Sequence, residues 1–162
     1  MPTTYEPIAT NTVSGSSTTQ IDFNSIPATY TDLVIVANAT GSTSGQGINL
    51  TFNGSATGYS STRLYGNGSA ASSDRQTSGT FINFALGSID AGQLIIGQVM
   101  NYTNSTTNKT VLLRQNTASA FVGALVGLWA NTNAITSLSL KAGGTMTFVA
   151  GSTFTLYGIK AA

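Results

Sequence analysis

Short apolar segments recur along this chain at spacings of about ten residues, each ended by Gly, Asn or Ser, and that rhythm constrains its fold most. Leu33-Val-Ile-Val-Ala is a continuous β-branched run with the length of a strand buried on both faces. Ile48, Leu50 and Phe52 alternate with Asn49 and Thr51, the period of a half-buried strand. Similar segments follow at 59–65, 80–86, 93–102, 109–116, 121–130, 135–141 and 153–159, and an early one surrounds Ile21 and Phe23.

The stretches between them, such as Gly41 to Gly47, Asn53-Gly-Ser and Gly66-Asn-Gly-Ser, are rich in residues that reach positive φ at low cost. They read as turns. No segment combines a helical apolar period with caps and a charged outer face, and abundant Ser and Thr compete with helical hydrogen bonds. The expected fold is all-β: a single-domain, jelly-roll-like β-sandwich of about nine or ten strands over residues 19–162. Residues 1–18 read differently, because Pro2 and Pro7 bracket Tyr5 and Glu6 ahead of a Thr/Ser/Gly stretch. They are expected to form an extended N-terminal arm that orders against a neighbour, with Tyr5, Glu6 and Ile8 as its contact residues.

What the chain lacks limits its chemistry. There is no His and no Cys, and 7% of positions are charged, against roughly a quarter in ordinary soluble domains. Polarity comes instead from 26 Thr, 19 Ser and 13 Asn. A nucleophilic Ser would lack its usual base, and no Ser sits in a Gly-x-Ser-x-Gly elbow. The five acids, Glu6, Asp22, Asp32, Asp74 and Asp90, fit no glycosidase or metal-binding spacing. The chain is therefore read as a non-enzyme without cofactor or metal. Six scattered basic residues make no phosphate-binding patch, and no apolar run approaches the roughly 20 residues of a membrane span, so neither nucleic acid nor membrane is expected as partner.

One segment stands out as a contact candidate. Tyr59, Arg63 and Tyr65 occupy odd positions and share one face of a strand that runs into the turn at Asn67. Exposed, these residues make a patch suited to a protein or sugar partner; buried, the two tyrosines are core. Trp129, the only Trp, ends the most hydrophobic segment and reads as core or subunit interface ahead of a sugar-stacking platform.

Several stretches in order resemble a family of small β-rich structural proteins of tailed bacteriophages. They are Ile26-Pro-Ala-Thr-Tyr-Thr-Asp-Leu, Phe52-Asn-Gly with Tyr59-Ser after it, Arg63-Leu-Tyr-Gly-Asn-Gly, and Ala150-Gly-Ser-Thr-Phe-Thr-Leu-Tyr-Gly-Ile-Lys. The resemblance runs from about Tyr5 to the end and carries no catalytic residues. It implies a virion surface component that assembles as a homotrimer, with the major capsid protein as partner: a capsid decoration (cement) protein on the outside of the phage head. The alternative it leaves is a tail-fibre or receptor-binding, lectin-like module that contacts host glycans. A chain passing from a short arm directly into strands, without a shaft, favours decoration.

Overall fold

The computed structural model describes residues 4–15, 17–117 and 121–160, and within them the apolar rhythm resolves into twelve strands. These are β1 (Tyr5–Thr12), β2 (Gln20–Phe23), β3 (Asp32–Ala39), β4 (Ile48–Phe52), β5 (Tyr59–Gly66) and β6 (Ala71–Gly79). There follow β7 (Ile82–Ala85), β8 (Gln93–Met100), β9 (Lys109–Thr117), β10 (Phe121–Trp129), β11 (Leu138–Ala142) and β12 (Thr153–Ile159). An eight-stranded sheet has the order β1-β12-β3-β8-β9-β10-β5-β6, and a four-stranded sheet the order β2-β11-β4-β7. All pairings are antiparallel, no helix occurs among the described residues, and the two sheets enclose one core as a β-sandwich.

The pairings are nested. Around the β5–β6 hairpin, β4 pairs with β7, β3 with β8, β2 with β11 and β1 with β12, alternating between the two sheets. The β9–β10 hairpin is the exception: inserted between β8 and β5, it widens the larger sheet.

Period-two alternation delivers the core. Leu33, Ile35 and Ala37 of β3, Ile48, Leu50 and Phe52 of β4, and Leu138 and Leu140 of β11 are all buried. Two glycines set the distance between the sheets: Phe84 lies against Gly97 and Ile82 against Gly127, each so close that a Cβ on the glycine would come within 2.8 Å of the ring or side chain. At one end Trp129 stacks on Tyr59, ring centroids 6.2 Å apart, and tilts against Phe52.

Two sequence expectations change. The strand total exceeds nine or ten partly because β6, Ala-Ser-Ser-Asp-Arg-Gln-Thr-Ser-Gly, offers no apolar alternation to detect. It is an edge strand exposed along most of its length. The second change concerns the expected arm, because residues 5–12 are β1 and belong to the sandwich, paired with β12 of their own chain from Tyr5↔Ile159 to Thr12↔Thr153. Pro7 has no N–H to give a ladder, and the register slips between Pro7 and Ala9, a defect that an edge strand tolerates. That slip also blunts the edge against further strand pairing.

Candidate functional site: the outer face of the larger sheet

In a one-sided sandwich strand, residues that alternate with the core ones should be polar. In the centre of the larger sheet they are not. Residues facing away from the core line up across strands as rows: Leu94, Asn116 and Val122; then Val36, Ile96, Arg114, Ala124 and Leu64; then Val34, Gln98, Leu112, Val126 and Thr62. A fourth row carries Met100, Thr110 and Leu128. Leu64 and Val122 are each 63% exposed, Tyr5 57%, Val126 49%, Leu94 45% and Leu112 42%.

This face is hollowed. A depression of about 790 Å³ lies over β5, β6, β8, β9 and β10, and a second of about 470 Å³ is lined by Tyr5, Val34, Thr62, Leu112 and Val126 among others. Leu64, Ile96, Arg114 and Ala124 line both, so the two adjoin along a single row. Five strands separate β1 from β5, which in a flat sheet would put them roughly 29 Å apart. Tyr5 and Thr62 nevertheless border the same hollow, so the face is concave.

Its electrostatics are sparse. Arg114 is exposed at the centre, flanked by Ile96 and Ala124 across the sheet, and takes part in neither ion pair of the described residues. Asp32, at the rim, is occupied: it accepts hydrogen bonds from Gln98 Nε2 at 2.9 Å and from the Asn101 amide at 2.8 Å. An apolar, concave surface with one central cation is suited to holding another apolar surface.

Of the contact residues expected from sequence, Tyr5 lies on this face, where its ring meets Tyr157 edge-on at 6.5 Å, and Tyr65 borders the larger depression. Glu6 accepts hydrogen bonds from Tyr30 Oη at 3.3 Å and Lys160 Nζ at 2.8 Å, which ties β1 to its own chain. Ile8 packs against the core. Tyr59 is a core residue rather than a contact residue: it is 1% exposed, and its hydroxyl accepts the Phe52 amide proton at 2.8 Å. Burial raises its pKa above the ordinary tyrosine value. Arg63 pairs with Asp74 on the adjacent strand and lies 5.8 Å from the Tyr65 ring centre, while Tyr65 stacks on Phe121 at 5.6 Å. Asn67 builds the β5–β6 turn, its Oδ1 accepting from the Ser69 and Ala70 amides. Trp129 is in the core, 2% exposed.

The remaining acids are dispersed. Asp22 bonds with Gln20 and Ser139, and Asp90 with Ser88, and no group of three metal-binding side chains occurs among the described residues. Sequence reasoning missed Leu64, Leu94, Leu112, Arg114, Val122 and Val126. The available signal was the run from Phe121 to Trp129, apolar at both parities, which asks for cover on two faces while the sandwich covers one. Compared with protein-family models, with curated proteins and with solved structures, the chain gives no match.

Proposed function

We propose that this chain is a capsid decoration protein of a tailed bacteriophage, a non-enzymatic, jelly-roll-like homotrimer on the outer surface of the head that stabilises it by multivalent contact with the major capsid protein. The concave apolar face carries the reading, because a surface of that kind makes sense in an assembly and serves no catalytic constellation. The nested strand order supports the jelly-roll description: a long hairpin folded over so that successive pairs fall alternately in the two sheets, with the β9–β10 hairpin added.

A trimer that engages several capsid subunits at once sums weak contacts through effective concentration. The outer face of the smaller sheet suits such contacts, since Gln20, Asn49, Thr51, Asn83 and Ser139 alternate there with core residues and two ions, Asp22 and Lys141, share the face with them. The glycan-binding alternative loses two of its stacking rings, Tyr59 and Trp129, to the core. Counting copies per purified virion by quantitative mass spectrometry tests the proposal. Hundreds of copies, with antibody labelling over the head, are expected; a few to tens of copies at the tail tip would overturn it in favour of the receptor-binding reading.

A further inference from the structure

We infer that the concave outer face of the larger sheet is the surface by which copies of this chain hold one another, closing a ring in which one protomer's face is covered by a neighbour. The inference rests on the homotrimer proposed above and names the face that builds it.

Size comes first. Seven strands, from β1 to β5 in sheet order, carry four outward rows, and at ordinary strand spacing and rise this spans about 34 Å by 27 Å, roughly 900 Å². A stable interface takes about 800 Å² from each partner, so the whole face is needed and suffices. Composition is the second argument. The face has six exposed large hydrophobic residues and one central cation, with Thr10, Thr155, Asn38 and Asp32 toward its margin, the apolar centre and polar rim of a protein interface. Third is availability: such a face is an aggregation hazard from the moment the chain folds. A second copy is present then, at equal concentration, whereas a different partner is met only on assembly.

Arg114 decides the symmetry. In a two-fold pair centred on the hollows, each Arg114 would face its own copy inside an apolar surface, with no acid of the face free to compensate, since Asp32 already serves Gln98 and Asn101. A heterologous contact sets the whole face against a different surface of the neighbour, keeps the guanidinium groups apart, and closes as a ring when the rotation between neighbours is one third of a turn.

The isolated full chain tests this without any virion. Sedimentation equilibrium at micromolar concentration is expected to give three protomers, and the double variant Leu64→Asp, Val122→Asp is expected to give one. The variant Thr51→Asp, on the other sheet's outer face, is expected to stay trimeric. Because the chain has no Cys, single variants give a second reading that does not depend on tolerating a buried charge. Leu64→Cys is expected to react with a maleimide at least tenfold more slowly than Thr51→Cys in the native protein, and at the same rate in denaturant. A monomeric or two-fold dimeric wild type, or equal native labelling at the two positions, overturns the inference. The decoration reading is decided separately, by copy number on virions.

Discussion

Ile82 rests on the bare Cα of Gly127: a methyl group added there would meet Ile82 Cγ2 at 2.8 Å and Cδ1 at 2.9 Å. Gly in a strand ordinarily costs stability relative to Ala, so the exchange Gly127→Ala would be favourable on an open strand. Here the contact reverses the sign. Two packed sheets cannot separate locally, and Gly127→Ala is expected to lose about 1–3 kcal/mol in urea unfolding, the usual range for overpacking. In an Ile82→Ala background, which removes the atoms the methyl would strike, the loss is expected to shrink. Additive losses in the two variants would show that the contact does not set the sheet spacing.

Lys109 supplies a second lock. Its ammonium is buried and donates to the carbonyls of Asn104 at 2.5 Å, Thr107 at 3.0 Å and Thr132 at 3.0 Å, joining the β8–β9 loop to the β10–β11 connection. Lys109→Met keeps the aliphatic stem but strips three carbonyls of a charged donor. The expected cost is about 3 kcal/mol by urea unfolding. Lys109→Arg is not expected to rescue, because a planar fork does not match three acceptors gathered around a point. A change below about 0.5 kcal/mol in Lys109→Met would mean that water replaces the ammonium without penalty.

How much of this the sequence announced depends on which face of a strand is asked about. Ile48, Leu50 and Phe52 alternate cleanly and are core, and Asn53-Gly54 read as a turn takes positive φ at both residues, 50° and 67°. Asn53 does more than turn the chain: Oδ1 accepts from the Thr136 and Ser137 amides and Nδ2 donates to Ala134 O, a long-range set of bonds that no local pattern encodes. β6 stayed invisible because an exposed edge strand needs no apolar residue. The docking face stayed hidden for the opposite reason, since apolar residues stand at both parities of β9 and β10, and Leu112 beside Leu113 or Val126 beside Leu125 does not say which is core until the register is known. Pro2 and Pro7 bracketing Tyr5 and Glu6 ahead of a Thr/Ser/Gly stretch have the look of an arm in sequence, and only the edge that β12 offers to β1 explains why Pro7 is tolerated in a strand.

Stability should be insensitive to pH near neutrality and fall in alkali. With no His and no Cys, no side chain has an ordinary pKa between about pH 5 and 8. Burial raises the pKa of Tyr59 and Tyr102, so above about pH 10 the unfolded chain loses phenolic protons that the folded chain keeps, and stability declines. Lys160, raised chiefly by its hydrogen bond to Glu6, acts in the same direction: its contribution is complete below the unfolded pKa and lost as pH rises through the folded one. Lys109 alone runs the other way, its pKa lowered by burial. Thermal melts are expected to change little from about pH 6 to 9 and to drop above 10, and Tyr102→Phe is expected to flatten the alkaline limb. A midpoint that falls steeply between pH 6 and 8 would require a titrating group that these residues do not provide.

Association of the chain with itself should resist salt. The centre of the larger sheet's outer face presents one cation, Arg114, among Leu, Val, Ile, Ala and neutral polar groups, while Asp32 lies at the rim with its oxygens hydrogen-bonded and Arg75 lies on the β6 edge, so screening has little attraction to remove. Sedimentation velocity at about 0.05 and 1 M NaCl is expected to show the same oligomer, and ammonium sulfate is expected to tighten it, because excluded salts favour burial of apolar area. Heat capacity supplies the complementary sign: calorimetric dilution should give a negative ΔCp of association, as burial of aliphatic side chains requires. An oligomer held by ion pairs would behave oppositely, falling apart in the high-salt sample. That outcome would move the contact away from the Leu64 and Val122 rows and toward the exposed charges of β6, Asp74 and Arg75.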